Sequence, residues 1–428
     1  MRELVRCCRI LILGLLAVFM AGAVSASNWP RFRGPNGTGV SDDKDVPVSW
    51  NQPNEALLWK TEIPGKGHSC PVVWNGKVFL QTAAADGSTR SLYCINLADG
   101  KVLWHPSIEA ARGGTHKLSS MASGTVATDG TRVYTPFWDG RKIGIYAYDF
   151  SGNKVWERDL GSFEGQHGAG HSPIVHAGKV FFANDQDDKS FLVALDAMDG
   201  TIVWKKPREA RSRSASYATP CLLAGVEHPW ELVVLSSINL AAYDPETGSE
   251  IWKSGSGLSY RTVGSTVFSH GMFFVGTGTG GGARHAVAFK LDRTQKPAAV
   301  TVAWEEKKSL PYVPSMLVRG DHLYYVNDRG VAGCCLASTG KPVWTERVSE
   351  RTGGNVYASP LLVDGRIYAV TTVGEVVVVA AEPKFQLLGR SSIGPDEEVL
   401  STPAVADSCL LIRGREHLYC FGKRPPTK

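Results

Sequence analysis

Short apolar runs alternate with Gly-centred polar turns along almost the whole chain, and each run has the length of a strand, too brief for a helix. Three segments show the unit: Ser69-Cys-Pro-Val-Val-Trp-Asn-Gly-Lys-Val-Phe79, Ser172-Pro-Ile-Val-His-Ala-Gly-Lys-Val-Phe181 and Ser359-Pro-Leu-Leu-Val-Asp-Gly-Arg-Ile-Tyr368. Asn-Gly and Asp-Gly between apolar runs predict tight hairpins, because Gly accepts the positive φ such turns need. A second sentence follows each hairpin. Cys94-Ile-Asn-Leu-Ala-Asp-Gly-Lys-Val-Leu-Trp104, Ala194-Leu-Asp-Ala-Met-Asp-Gly-Thr-Ile-Val-Trp204 and Ala242-Tyr-Asp-Pro-Glu-Thr-Gly-Ser-Glu-Ile-Trp252 share a small residue, a Gly six later and a Trp four beyond it.

Trp59, Trp104, Trp156, Trp204, Trp252, Trp304 and Trp344 recur at intervals of 40 to 52 residues, the range in which one repeat is one blade of a propeller. Segments end near Trp104, Trp156, Trp204, Trp252, Trp304 and Trp344, with a degenerate one near Leu388. A last one opens at Ser401-Thr-Pro-Ala-Val405 and continues through Cys409–Ile412 and His417–Phe421, but lacks an outer strand. Ala56-Leu-Leu-Trp59-Lys-Thr-Glu62 supplies one from the other end of the chain. The expectation is an all-β, eight-bladed β-propeller of four-stranded antiparallel blades whose last blade is closed by an N-terminal strand, which removes exposed sheet edges. Seven blades is the alternative, if the degenerate segment is an insertion.

The seven indoles are expected to dock blade on blade, each burying area worth a few kcal/mol, with the small residue of the motif against a neighbour's ring. Past Cys7 and Cys8 seven cysteines remain, an odd number. Cys94 and Cys334 occupy the small-residue slot, Cys334-Cys335 would make a strained vicinal disulfide, and Cys409 faces Cys420 if Gly414-Arg415 is a two-residue turn.

Arg2, Arg6 and Arg9 precede an apolar run from Ile10 to Met20 and a small-residue site at Val24-Ser25-Ala26, which reads as a signal peptide over 1–26 with cleavage near Ala26. The mature protein is then periplasmic or secreted, with no transmembrane segment, a single propeller domain over 27–428, a cap segment over 27–54 and the closing strand over 55–62. Three Arg and one Glu leave with the leader, so the formal charge falls from +5 to +3, and without basic runs a nucleic-acid partner has no support.

The Ala-x-Asp-x-x-x-Gly-x-x-x-Trp sentences and the Ser/Thr-Pro strand openings resemble the repeats of the pyrroloquinoline-quinone (PQQ) propeller superfamily, which includes quinoprotein alcohol dehydrogenases and BamB-type envelope proteins. Trp29-Pro-Arg-Phe-Arg-Gly-Pro-Asn-Gly-Thr-Gly39 is similar to the mature start of a group of secreted bacterial PQQ-repeat proteins. The resemblance covers nearly the whole mature chain and speaks for fold more than activity. It implies two functions: a binding or assembly scaffold in the envelope, with envelope proteins or a small polar ligand as partners, or a quinoprotein alcohol or sugar dehydrogenase. Enzymatic members hold PQQ against a Trp and a vicinal disulfide, with calcium on Glu, Asn and Asp. No calcium-ligand set or catalytic Asp carries over to this sequence residue by residue. A carbohydrate-binding secreted module is a third reading, since Tyr-lined funnels stack sugars.

Candidate chemistry lies in the segments just before the opening strands, where propeller symmetry gathers side chains on one face. His68, Gln166, His167, His171, Tyr217, Tyr260, Arg261, Tyr312, Asn355 and Tyr357 would supply proton exchange, stacking and anion binding in a channel funnel; the alternative is a water-filled channel lining. His167 and His171 have helical metal-ligand spacing, but Gly168 and Gly170 argue for a loop. Gly276-Thr-Gly-Thr-Gly-Gly-Gly282 reads as a flexible blade loop, and Asp185-Gln-Asp-Asp188 as a solvated acidic turn. No metal site is expected.

Overall fold

The hairpin turns do what their sequences require. Asn75-Gly76, Ala177-Gly178 and Asp364-Gly365 all take positive φ at both residues, from 46° to 74°, the pairing whose twist matches the flanking strands. In the computed structural model, which describes residues 27–423 except 112–114, 188, 210–213, 226, 228, 256, 351–352 and 396, these hairpins are the inner halves of eight antiparallel sheets. The expected leader lies outside the described residues.

The sheets follow one another as blades 1 (72–109), 2 (127–162), 3 (174–207), 4 (221–253), 5 (261–306), 6 (317–347) and 7 (361–392). Blade 8 combines Ala404–Ala406, Cys409–Arg413 and His417–Phe421 with Leu57–Glu62, whose strand pairs antiparallel with His417–Phe421 and closes the ring. The propeller thus has eight blades, the degenerate segment being blade 7.

Alternate side chains of each strand face the blade before and the blade after, so the core is a set of layers between sheets. Phe181 and Ala194 of blade 3 pack with Leu232 and Val234 of blade 4, whereas Phe182 and Val193 pack with Ile145 and Trp156 of blade 2. Both faces of each sheet are buried, which fixes strand register because a one-residue slip would exchange the two layers.

The Trp motif supplies the contact between blades. Trp59, Trp104, Trp156, Trp204, Trp304 and Trp344 each donate the indole N–H to a carbonyl of the following blade, at Leu97, Phe150, Ala197, Pro245, Ala337 and Glu382, over 2.7–3.0 Å. Five of these rings lie flat on the motif Gly of that next blade. A Cβ at Gly100, Gly152, Gly200, Gly248 or Gly340 would come within 2.5–2.8 Å of the ring. The small residue has a different role from the one expected: Cys94, Ala147, Ala194, Ala242, Ala288, Cys334 and Cys420 sit opposite the Trp of their own blade in the register. It is the Gly, not this residue, that meets the neighbour's ring.

Two seams depart from the rule. The motif of blade 5 lacks its Gly, and Arg293 there pairs with Glu231 of blade 4 at 2.5 Å while Trp252 donates to the same carboxylate at 2.8 Å. In blade 7 Gly389 stands at the Trp position, opposite Val378. The N-terminal segment fills the gap: a Cβ at Gly389 would collide with the Val48 carbonyl, and Trp50 stacks on Phe421 of blade 8 with centroids 4.5 Å apart.

Near the axis a second belt runs round the ring in the same direction. Backbone N–H groups donate to the hydroxyl of the next blade from Cys70 to Thr125, Thr125 to Ser172, Thr219 to Ser265, Ser265 to Ser315, Ser315 to Ser359 and Ser359 to Thr402. Thr402 N–H then reaches the Cys70 thiol at 3.2 Å, so the Ser/Thr-Pro openings are the inner seam. The motif that starts at Trp29 threads through the centre. It bonds Val73 of blade 1, Thr128 of blade 2 and Leu222 of blade 4, then Met316 at the entry to blade 6 and Leu362 of blade 7. Arg33, fully buried there, has its pKa pushed down to about 9 by desolvation.

The cysteines among the described residues are all free. Leu410 pairs with Phe421 and Leu411 with Cys420, because the turn falls at Arg415-Glu416, one residue later than the turn that would set Cys409 against Cys420. The two thiols still meet diagonally, the Cys420 thiol donating to Cys409 and lowering the Cys409 pKa.

Gly200 and Gly178 separate the docking contact from backbone strain, since both have φ of 73° but only Gly200 faces a ring. Gly178→Ala is expected to cost about 1 kcal/mol, the left-handed penalty alone, and Gly200→Ala about 3 kcal/mol because the clash is added. Chemical denaturation followed by Trp fluorescence measures both.

Candidate functional site

The segments that lead into the innermost strands collect on one face of the ring, and Arg261 ties several together. Its guanidinium donates to Gln166 Oε1 at 3.1 Å, lies 3.3 Å from His167 Nε2 and donates to the Tyr312 hydroxyl. It thereby spans from the entry of blade 3 to the entry of blade 6. Gly276 and Gly278 make room for this, since a Cβ at either would strike the Pro311 carbonyl or the Tyr312 ring. Those two glycines lie inside the strand Met272–Gly278, so the Gly-rich run is strand and turn rather than a flexible loop.

Tyr312 is pinned from both sides. Its backbone N–H and that of Val313 bond the Asp328 carboxylate at 2.9 and 3.1 Å, and Arg284, 3.3 Å from Asp328, covers the ring at 5.2 Å. Tyr357 faces the same Asp328 and Arg284, and burial and Asp328 raise its pKa. Burial likewise raises Tyr217, whose ring is 5.2 Å from His171.

The two candidate histidines of blade 3 diverge. His167 faces Arg261 and lies tilted against His116 with centroids 4.5 Å apart; desolvation, then Arg261 and His116, push its pKa down to about 4. His171 is buried and its Nε2 bonds the Asp185 carbonyl at 3.0 Å. Asp185 is no solvated turn residue. It is buried and forms an ion pair with Arg208 at 2.7 Å, while Asp188 lies outside the described residues. Tyr260 and Asn355 stand apart: among the described residues neither side chain hydrogen-bonds to this network.

His68 occupies a separate concavity of about 380 Å³ between blades 8, 1 and 2, together with Lys66, His116, Lys117, Arg413 and Arg415. His116 links this concavity to the Arg261 network through His167. Desolvation and the neighbouring Arg413 push the His68 pKa down to about 4. Arg413 and His116 were not singled out from the sequence, although Arg413 carries a signal in its strand position taken up below.

PQQ with calcium, the cofactor implied by the enzymatic relatives, does not fit these residues. Cys334 packs in the layer between blades 6 and 7 and Cys335 in the layer between blades 5 and 6, so the vicinal pair points into two core layers and not into the funnel. No group of three or more His, Cys, Asp or Glu able to hold a cation occurs among the described residues.

Ring closure, eight blades, seven of them carrying the motif Trp, and a polar cluster before the innermost strands define the class: a quinoprotein-like repeat propeller. The family model described as outer membrane protein assembly factor BamB matches residues 34–146, 141–292 and 301–384, and the chain belongs to that family. It is 24% identical over 264 residues to the outer membrane protein assembly factor BamB of Yersinia pestis, covering 57% of this chain and 62% of that protein. Among solved structures, BamB from Moraxella catarrhalis superposes with a TM-score of 0.59 at 13% identity, over 86% of this chain and 99% of that one. The quinohemoprotein alcohol dehydrogenase of Comamonas testosteroni gives 0.63 at 13% identity, over 94% and 82%. At such identities both show a shared fold.

His68 sets a pH dependence. Burial pushes its folded pKa down to about 4 from the ordinary imidazole value of 6.5, so as pH falls through 6.5 the unfolded chain takes up the proton first and stability is lost until about pH 4. His68→Gln is expected to remove on the order of 2 kcal/mol of that acid loss, read as a flatter dependence of the denaturation midpoint between pH 7 and pH 4.

Proposed function

We propose that this chain is an exported propeller of the cell envelope that acts as a binding or assembly scaffold, in the manner its family description gives to BamB. The observation that carries this reading is the family match from residue 34 to residue 384. Two structural features support it. Leu57–Glu62 gives blade 8 its fourth strand, so the two ends of the chain are locked into one blade and the ring is a rigid body suited to holding partners in fixed orientation. No helix among the described residues is long and apolar enough to cross a membrane, in keeping with a periplasmic or secreted protein released after cleavage near Ala26. The dehydrogenase alternative is disfavoured by the core placement of Cys334-Cys335, and a sugar-stacking funnel by the Arg284 side chain that covers Tyr312.

Expression with the native leader, followed by periplasmic extraction, crosslinking and affinity capture, tests the proposal. Mature protein beginning at Ser27 and crosslinked to envelope proteins is expected. A chain that retains Met1, or a monodisperse monomer that captures no envelope protein, counts against it.

A further inference from the structure

One strand position breaks the repetition of the ring. Opposite the small motif residue of seven blades, and opposite Val378 in the degenerate blade 7, stand Phe79, Tyr134, Phe181, Val233, Phe274, Tyr324, Tyr368 and Leu411. Two residues further along the same strands come Gln81, Pro136, Ala183, Leu235, Gly276, Val326, Val370 and Arg413. Six blades place a small or apolar residue there. Only blades 1 and 8, which are adjacent, place a polar one, and the two meet: Arg413 Nη1 donates to the Gln81 carbonyl at 3.0 Å.

Arg413 is 1% exposed, and its Nε and Nη2 find no hydrogen-bond acceptor among the described residues. A buried guanidinium with unmet donors is costly, and desolvation that lowers its pKa to about 10 leaves it charged at neutral pH. Nε and Nη2 form the side-on edge of the guanidinium, two parallel N–H groups with the spacing of the two oxygens of a carboxylate. Arg413 lines the 380 Å³ concavity, and so does Gly67, where a Cβ would come within 2.8 Å of Nη2 and cover that edge.

We propose that this concavity binds a small polar monocarboxylate, with the carboxylate on the side-on edge of Arg413. Lys66, Lys117 and Arg415 in the lining add positive charge, while Glu398 and Asp86, which also line it, disfavour a multiply charged anion such as phosphate. Thr115, Ser119 and Ser120 offer hydroxyl partners to a hydroxylated body, and the volume is that of a small-molecule site. This site is independent of the scaffold reading and stands or falls without it.

Isothermal titration calorimetry of the mature chain at low salt with gluconate, glucose and inorganic phosphate as probes tests the assignment. Gluconate is expected to bind one to one, glucose not to bind, and phosphate to bind more weakly than gluconate. Arg413→Met is expected to weaken gluconate at least about tenfold, the value of a charged bidentate contact. Since Arg413 is buried, the exposed double variant Lys66→Ala/Lys117→Ala provides a second arm, in which affinity falls about threefold or more and the loss shrinks with added salt. Absence of gluconate binding at millimolar concentration, tighter binding of phosphate, or unchanged affinity in the Lys66/Lys117 variant overturns the proposal.

Discussion

Five of the eight seams between blades are held by an indole lying on a glycine. The ring of Trp156 covers Gly200 and bonds the Ala197 carbonyl, and the same pairing recurs from blade 8 to blade 1, 1 to 2, 3 to 4 and 5 to 6. The contact needs three things at once: a positive φ at the turn, no Cβ on it, and a Trp at the bulge of the preceding outer strand. Gly meets the first two without strain. Because neighbouring sheets share each layer of core side chains, this contact also sets how far one blade is rotated on the next wherever it occurs.

Closure brings the chain ends together. Leu57–Glu62 gives blade 8 its outer strand and brings Trp59 to the turn of blade 1, while the Thr402 to Cys70 bond joins the same two blades at the inner belt. Where the indole contact is missing, something else bridges the seam. The Glu231–Arg293 pair does so between blades 4 and 5, and Trp50 on Phe421 between blades 7 and 8.

Blade count, strand order and the borrowed strand were legible because the Gly-to-Trp sentence is local and repeated. What that sentence touches was less legible. The small residue and the Gly are both compact, and the register alone shows that Ala194 faces its own Trp204 while Gly248 receives that ring. The Cys409–Cys420 pairing was misplaced for a related reason, since Gly414 looked like the turn and the chain turns one residue later. Of the candidate residues, Gln166, His167, Arg261 and Tyr312 converge because all four lie just before innermost strands, where symmetry gathers them. Arg413 escaped notice because it sits inside a strand that otherwise reads as an ordinary apolar hairpin, and its oddity appears only when eight registers are aligned.

A double-mutant cycle on Trp104 and Gly152, whose Cβ would lie 2.8 Å from that ring, tests the docking contact most directly. If the indole and the bare turn are one interaction, Trp104→Leu removes most of the penalty of Gly152→Ala, giving a coupling of about 1.5 kcal/mol or more by chemical denaturation. Additive losses, with coupling within about 0.5 kcal/mol of zero, would contradict it.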